Sequence, residues 1–229
     1  MANFNWTELL PGITHDNSHV ATAAIATGTI VLFSLVGRIA LGTGESAILP
    51  AGKVSVKGLF EQITGFIVNL SENVIGEAGR PMAPLFASLF FFLFFNNLVG
   101  LIPGMTPATE NLNTSLAVGV FSFLIYNFFG FKEHGPAYLK QFLGPVWWLA
   151  PLMLPIEIIS HTVRPVSLGL RLHGNMLGDH MVLSIFTDLL PPPGAIVFYF
   201  LGFFVCFMQA FVFTMLSMIY ISMAISHDH

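Results

Sequence analysis

Glu157, His161, Arg164, Ser167, Arg171, Asn175 and Asp179 recur at intervals of 4, 3, 3, 4, 4 and 4 residues, and His180 adjoins the last of them. Such spacing sets seven polar side chains along one face of a helix, drifting slowly around it. The residues between them are largely apolar, so the row runs along an otherwise greasy element. An ionisable group at membrane depth costs several kcal/mol even on the lenient insertion scale, and by default it marks a pathway or a partner.

Each member also has a plainer role open to it. Glu157 and Arg164 are two helical turns apart and suit a structural ion pair, and Arg164 suits snorkelling toward the nearer helix end. His161 and His180 fit as satisfied bundle histidines, Ser167 as a back-bonded hydroxyl, and His173, off the row, as packing. Arg171 is harder to absorb. It lies 24 residues from Trp147 and 19 from Leu190, with no acid three or four positions away. A partner must therefore come from another helix or another chain, because an uncompensated arginine at such depth is prohibitive.

The elements that must position this row are dictated by composition. Of 229 residues, 55% are apolar and 9% charged, with 24 Phe and a mean hydropathy of +0.78. Soluble domains carry roughly a quarter charged residues, so most of the chain belongs in lipid. Runs near 20 apolar residues span a bilayer. The expected fold is all-α and integral to the membrane, with five crossing helices and one interfacial amphipathic helix. The crossings are expected at 20–41, 81–101, 112–131, 147–190 and 195–224. Between the first two, Leu59, Phe60, Ile63, Phe66, Ile67, Leu70 and Val74 repeat with helical period opposite Lys57, Glu61, Gln62, Asn69, Glu72 and Asn73. That pattern predicts an interfacial helix over 54–75. The whole chain, 1–229, reads as a single membrane domain.

The last two crossings are too long for an upright helix. Residues 147–190 would measure roughly 66 Å at 1.5 Å per residue, about twice the hydrocarbon thickness. Steep tilt or kinking is expected, with Pro151, Pro155 and Pro165 as places for a kink. Pro191-Pro192-Pro193 is expected to turn the chain into a long tilted hairpin. Gly174 and Gly178 form a small-xxx-small pair that lets a neighbouring helix approach.

Orientation follows from the basic residues. Arg38, Lys53, Lys57 and Arg80 surround the link between the first two crossings, and Lys132 and Lys140 follow the third. Five crossings with the N-terminus outside and the C-terminus inside place all six in the cytoplasm. Residues 1–17 lack a basic region followed by a short apolar segment and cleavage site, so no removable signal peptide is expected. The single cysteine, Cys206, excludes an internal disulfide and a multi-cysteine metal site. No G-x-x-x-x-G-K-[ST] loop occurs, so ATP chemistry must reside elsewhere.

The run from Arg164 to Asp179, R-P-V-S-L-G-L-R-L-H-G-N-M-L-G-D, closely resembles the signature of the subunit a family of F-type ATP synthases. Gln209 on the last helix and Asn96-Asn97-Leu98-Val99-Gly100-Leu101-Ile102-Pro103 match as well, and the resemblance covers nearly the whole chain. It implies a non-catalytic stator subunit of the bacterial inner membrane. Its implied partners are a ring of c subunits, the peripheral-stalk b subunits, the catalytic ATPase head, the lipid bilayer and protons, with sodium the lesser candidate. No cofactor, metal or nucleic acid is implied. By resemblance, Arg171 faces the ring carboxylates. Asn175, Asp179, His180, Gln209 and Ser167 line the outer half of the proton path, and Glu157 and His161 the inner half. One position departs: where relatives often carry an ionisable residue facing the site of His180, this chain has Gly202. The outer relay then rests on Asp179 and His180, or on water.

Three other classes compete. A secondary transporter has buried charges and broken helices but usually two related halves, and no repeat is evident. A passive scaffold leaves the polar row unexplained. A haem or metal site lacks a facing histidine on the last helix, and the His227-Asp228-His229 tail suits only weak metal binding.

Overall fold

A computed structural model describes residues 6–9, 13–14, 17–42, 55–135, 138, 150–189 and 192–225. Lys53, Lys140, Trp147, Pro191 and the His227-Asp228-His229 tail, all named above, lie outside the described residues. The described secondary structure is entirely helical. The α-helices are α1 Ser18–Leu41, α2 Val56–Ile75, α3 Ala83–Val99, α4 Leu112–His134, α5 Ala150–Leu189 and α6 Pro192–Ile225, and short 3₁₀ turns precede α1, α3 and α4.

Four helical stretches are long and apolar enough to cross a membrane: Ser18–Leu41, Glu77–Val99, Leu112–His134 and Gly194–Ile225. The 40-residue α5 is not among them. Glu157, Arg164, Arg171, Asp179 and Asp188 interrupt it every seven to nine residues, which dilutes its hydropathy although its length, roughly 60 Å, is ample. The helix runs unbroken through both Pro155 and Pro165. Pro192 and Pro193, expected in the turn, belong to α6, which begins at Pro192. A proline there suits a first turn, whose N–H groups have no intrahelical acceptor.

Leu93, Phe86, Tyr126, Leu168, Leu172 and Phe213 are fully buried and bring α3, α4, α5 and α6 together around one core. Phenylalanines supply much of the α3–α6 contact: Phe90 meets Phe207, and Phe94 meets Phe203, edge to face at 5.8 and 5.9 Å, the arrangement that the ring quadrupoles favour. In α2, Ser55 Oγ accepts from the Gly58 N–H to start the helix. Its apolar side then packs Ile63, Ile67, Leu70 and Val74 against the core, and Ser222 Oγ on α6 donates to Val74 O at 3.0 Å.

Helices α4 and α5 approach closely at Gly119 and Gly169, glycines with nothing to distinguish them by spacing alone. A Cβ at Gly119 would stand 2.5 Å from Pro165 O, and one at Gly169 would stand 3.0 Å from Leu116 Cα. Gly174 and Gly178, read above as a packing pair, face open space instead, with nothing within 4 Å of either Cβ position. Among the described residues, no helix uses the gap they leave.

Candidate functional site: a polar row between two clusters

The row on α5 divides into a bare centre and two clusters. At the centre Arg171 is exposed and has no ion pair among the described residues. Gly174, Asn175 and Gly178 continue the exposed surface. One turn beyond Arg171, Asn175 Nδ2 donates to Gln209 Oε1 on α6 at 2.5 Å. Gln209 is buried, and its own Nε2 finds no partner among the described residues.

Toward the end of α5, His180 Nδ1 lies 2.8 Å from Glu110 Oε2. Glu110 belongs to the link between α3 and α4, and four hydrogen bonds hold that link. Thr109 Oγ1 donates to the buried Asn97 Oδ1 at 2.6 Å. Asn111 Oδ1 caps α4 by accepting from the Asn113 N–H at 2.9 Å. Trp6 Nε1 donates to Pro103 O at 3.0 Å, while the Trp6 N–H donates to Gly104 O. Gly100 closes against Pro107, whose ring a Cβ at position 100 would strike at 2.8 Å. Asp179 points to the neighbouring helix: a Cβ at Gly202 would sit 3.2 Å from its Oδ2.

Toward the start of α5, His161 is buried against α4. Its Nε2 lies 2.9 Å from both the Tyr126 hydroxyl and Asn127 Oδ1. Asn127 Oδ1 also accepts from the Tyr138 hydroxyl at 3.2 Å, and burial pushes the Tyr138 phenol above its ordinary range, so it stays a neutral donor. Arg164 lies with its guanidinium carbon 5.6 Å from the centre of the Tyr220 ring, a cation–π distance. Among the described residues it makes no ion pair with Glu157. Ser167 Oγ donates to Arg164 O at 3.0 Å.

The two clusters thus flank Arg171. His180 is nine residues away and His161 ten, or roughly 14 and 15 Å along the helix axis. The sequence model of the family described as ATP synthase A chain matches residues 29–222, most of this chain. The chain belongs to that family. It is 59% identical to the ATP synthase subunit a of Bdellovibrio bacteriovorus over 228 residues, covering 99% of this chain and all of the relative. It is 43% identical to that of Geobacter sulfurreducens over 212 residues, 93% of this chain and 91% of the relative. It is likewise 43% identical to that of Solidesulfovibrio magneticus over 200 residues, 87% of this chain and 82% of the relative.

Against that membership, the structure groups the sequence-predicted residues unevenly. Asn175 joins Gln209, Asp179 faces Gly202, and His161 enters a hydrogen-bonded group on α4. Arg171 stands apart from all of them. Glu157 and Ser167 are half-buried and touch neither cluster through a hydrogen bond to another helix. Glu110, Tyr126 and Asn127 were not among the residues that sequence reasoning selected. Tyr126 and Asn127 carried a weak signal, being adjacent polar residues in an apolar span. Glu110 carried one too, as the sole carboxylate in the link that joins α3 to α4.

Proposed function

We propose that this chain is the stator proton-channel subunit of a rotary F-type ATP synthase in a bacterial inner membrane. In this reading five helices cross, α5 included, with the N-terminus outside and the C-terminus in the cytoplasm. Proton flow through two offset half-channels turns a ring of c subunits and drives ATP synthesis in the catalytic head, while b subunits hold the stator still.

The observation that carries this reading is Arg171. It sits mid-way along a 40-residue helix, exposed, without an ion pair among the described residues, and beside two glycines that face open space. A cation so placed calls for an anion on a separate molecule that can come close. Passing ring carboxylates meet that need. Arginine stays protonated at any working pH, so it cannot relay the proton itself. It attracts a deprotonated carboxylate by about 4 kcal/mol at 4 Å and an effective dielectric of 20. That favours loss of the proton on one side of Arg171, and the fixed charge blocks a direct leak between the halves. The membrane potential supplies roughly 2.3 kcal/mol per charge per 100 mV.

Asn175, Gln209, Ser167, Asp179 and His180 form the outer half of the path in this reading, and Glu157 and His161 the inner half. The test is Arg171→Ala in the assembled complex, in inverted membrane vesicles, with ATP-driven proton pumping and passive leak measured together. Pumping falls to background with assembly intact, and passive leak rises. Normal pumping would remove Arg171 from the mechanism and put a secondary transporter first.

A further inference from the structure

We infer that Glu110 is the outermost proton-carrying group of this chain, handing protons to and from His180. The inference rests on the stator reading above and adds to it a residue from outside the helical row.

Among the described residues, α6 offers Asp179 and His180 no carboxylate or imidazole, and a different element supplies one. The Glu110 carboxylate reaches His180 Nδ1 at 2.8 Å across 70 positions of sequence. Glu110 Oε2 is itself buried, and His180 Nδ1 is the polar neighbour that reaches it. At 2.8 Å the carboxylate oxygen and the imidazole nitrogen are close enough for a proton to pass directly between them. A carboxylate and an imidazole in direct contact can share one proton between them. That suits a group that must take up a proton and let it go.

The side chains are also placed for exchange with water. Glu110 is 23% exposed and His180 21%, so neither is sealed. The link that carries Glu110 is meanwhile held rigidly: Asn97 grips Thr109, Asn111 caps α4, and Asn111 Nδ2 lies 3.3 Å from His19 Nδ1. The charged and titratable groups facing His180 are thus Glu110 from the link and Asp179 from its own helix, with His19 behind Asn111. A rigid mount with a partly exposed carboxylate at its tip suits proton capture at a channel mouth.

The transfer balances simply. The Glu110 carboxyl O–H breaks, an N–H forms at Nδ1 of the neutral imidazole, and the pair becomes carboxylate and imidazolium with no change in total charge. The imidazolium then releases a proton inward, and Glu110 is free to take another from water. Pumping driven by ATP runs the same step in reverse.

The test is Glu110→Gln in the assembled complex in inverted vesicles. Gln keeps the size of the side chain and removes the exchangeable proton. ATP-driven pumping falls about tenfold, the low end of what a positioned acid–base group contributes, with the amount of assembled complex unchanged. Glu110→Asp retains most of the activity. Adding His180→Gln to Glu110→Gln costs little more than either alone, because both interrupt one transfer. Wild-type pumping in Glu110→Gln overturns the inference, as does loss of assembly in both Glu110 variants, which would make the residue a structural prop. Arg171→Ala run in parallel separates the two levels. If it abolishes pumping while Glu110→Gln pumps normally, only Glu110 is dismissed; if it too pumps normally, the stator reading falls first.

Discussion

Asn175 and Gln209 lie 34 positions apart in sequence, yet they join α5 to α6 by a single hydrogen bond from Nδ2 to Oε1 at 2.5 Å. The bond sits one helical turn from Arg171. It fixes the amide of Asn175 on the exposed face and leaves Gln209 Nε2 buried and free of partners among the described residues. One bond thus ties α5 to α6, and one buried donor remains, open to pairing only by an internal water or a shift of the side chain.

Asn175→Ala strands the Gln209 side chain, at a cost of about 1–3 kcal/mol for an unsatisfied buried amide. Replacing both residues with leucine removes the unmatched groups together and should recover most of that stability. Proton pumping should remain depressed in the double variant. Thermal unfolding of the complex and vesicle pumping, measured side by side, separate the two contributions. If pumping returns with stability, the pair only holds the hairpin.

Glycine substitutions on α5 should split by position. Gly169 packs against Leu116 and Ser115 of α4 at 3.0 Å from the added Cβ. Gly169→Leu then forces α4 away, an overpacking cost of typically 1–3 kcal/mol, visible as a lower melting temperature of the complex. Gly174→Ala meets nothing within this chain. By helix propensity it should stabilise the isolated chain, by up to about 1 kcal/mol. Its harm should appear only in assembly, as less c subunit recovered with the purified complex. Equal loss of chain stability in both variants would show that the Gly174 face is covered from within.

Much of the fold could be read in advance because lipid imposes few solutions. Apolar runs of spanning length announce α1, α3, α4 and α6, and the row on α5 stands out because each ionisable residue interrupts a hydrophobic helix. Contacts between distant segments could not be read this way. Glu110 sits in a link rich in turn-forming residues, where a carboxylate is ordinary, and only folding brings it to His180. Gly119 and Gly169 look no different in sequence from Gly174 and Gly178, since a helix period says which face a glycine occupies but not what meets it. The absence of an ionisable side chain at Gly202 was plain, whereas its replacement came from the α3–α4 link rather than from α6. The signature around Asn97 was recognisable without its reason: the buried amide holds Thr109, next to Glu110.

Tyr126→Phe tests the opposite cluster. It removes one of the two groups at His161 Nε2 and leaves Asn127 Oδ1 as the acceptor. The expected loss of stability is about 1 kcal/mol, the ordinary net worth of such a bond. The imidazole should then be held with its proton on Nε2, which ring-nitrogen chemical shifts of labelled protein report. Persistence of a mixed tautomer population would mean that the tyrosine hydroxyl does not govern the proton on His161.

The bare arginine of α5 has a consequence before any rotor turns. A copy inserted into lipid without its ring carries a guanidinium against hydrocarbon, costing about 2.5–3.5 kcal/mol at mid-depth on the insertion scale, a large fraction of a protein's usual margin of stability. On the stator reading, surplus copies should then loosen first and meet membrane proteases, which would tie the lifetime of the chain to its capture by the ring. In a pulse-chase without c subunits, Arg171→Leu should outlive the wild-type chain; with c subunits present, the order should reverse.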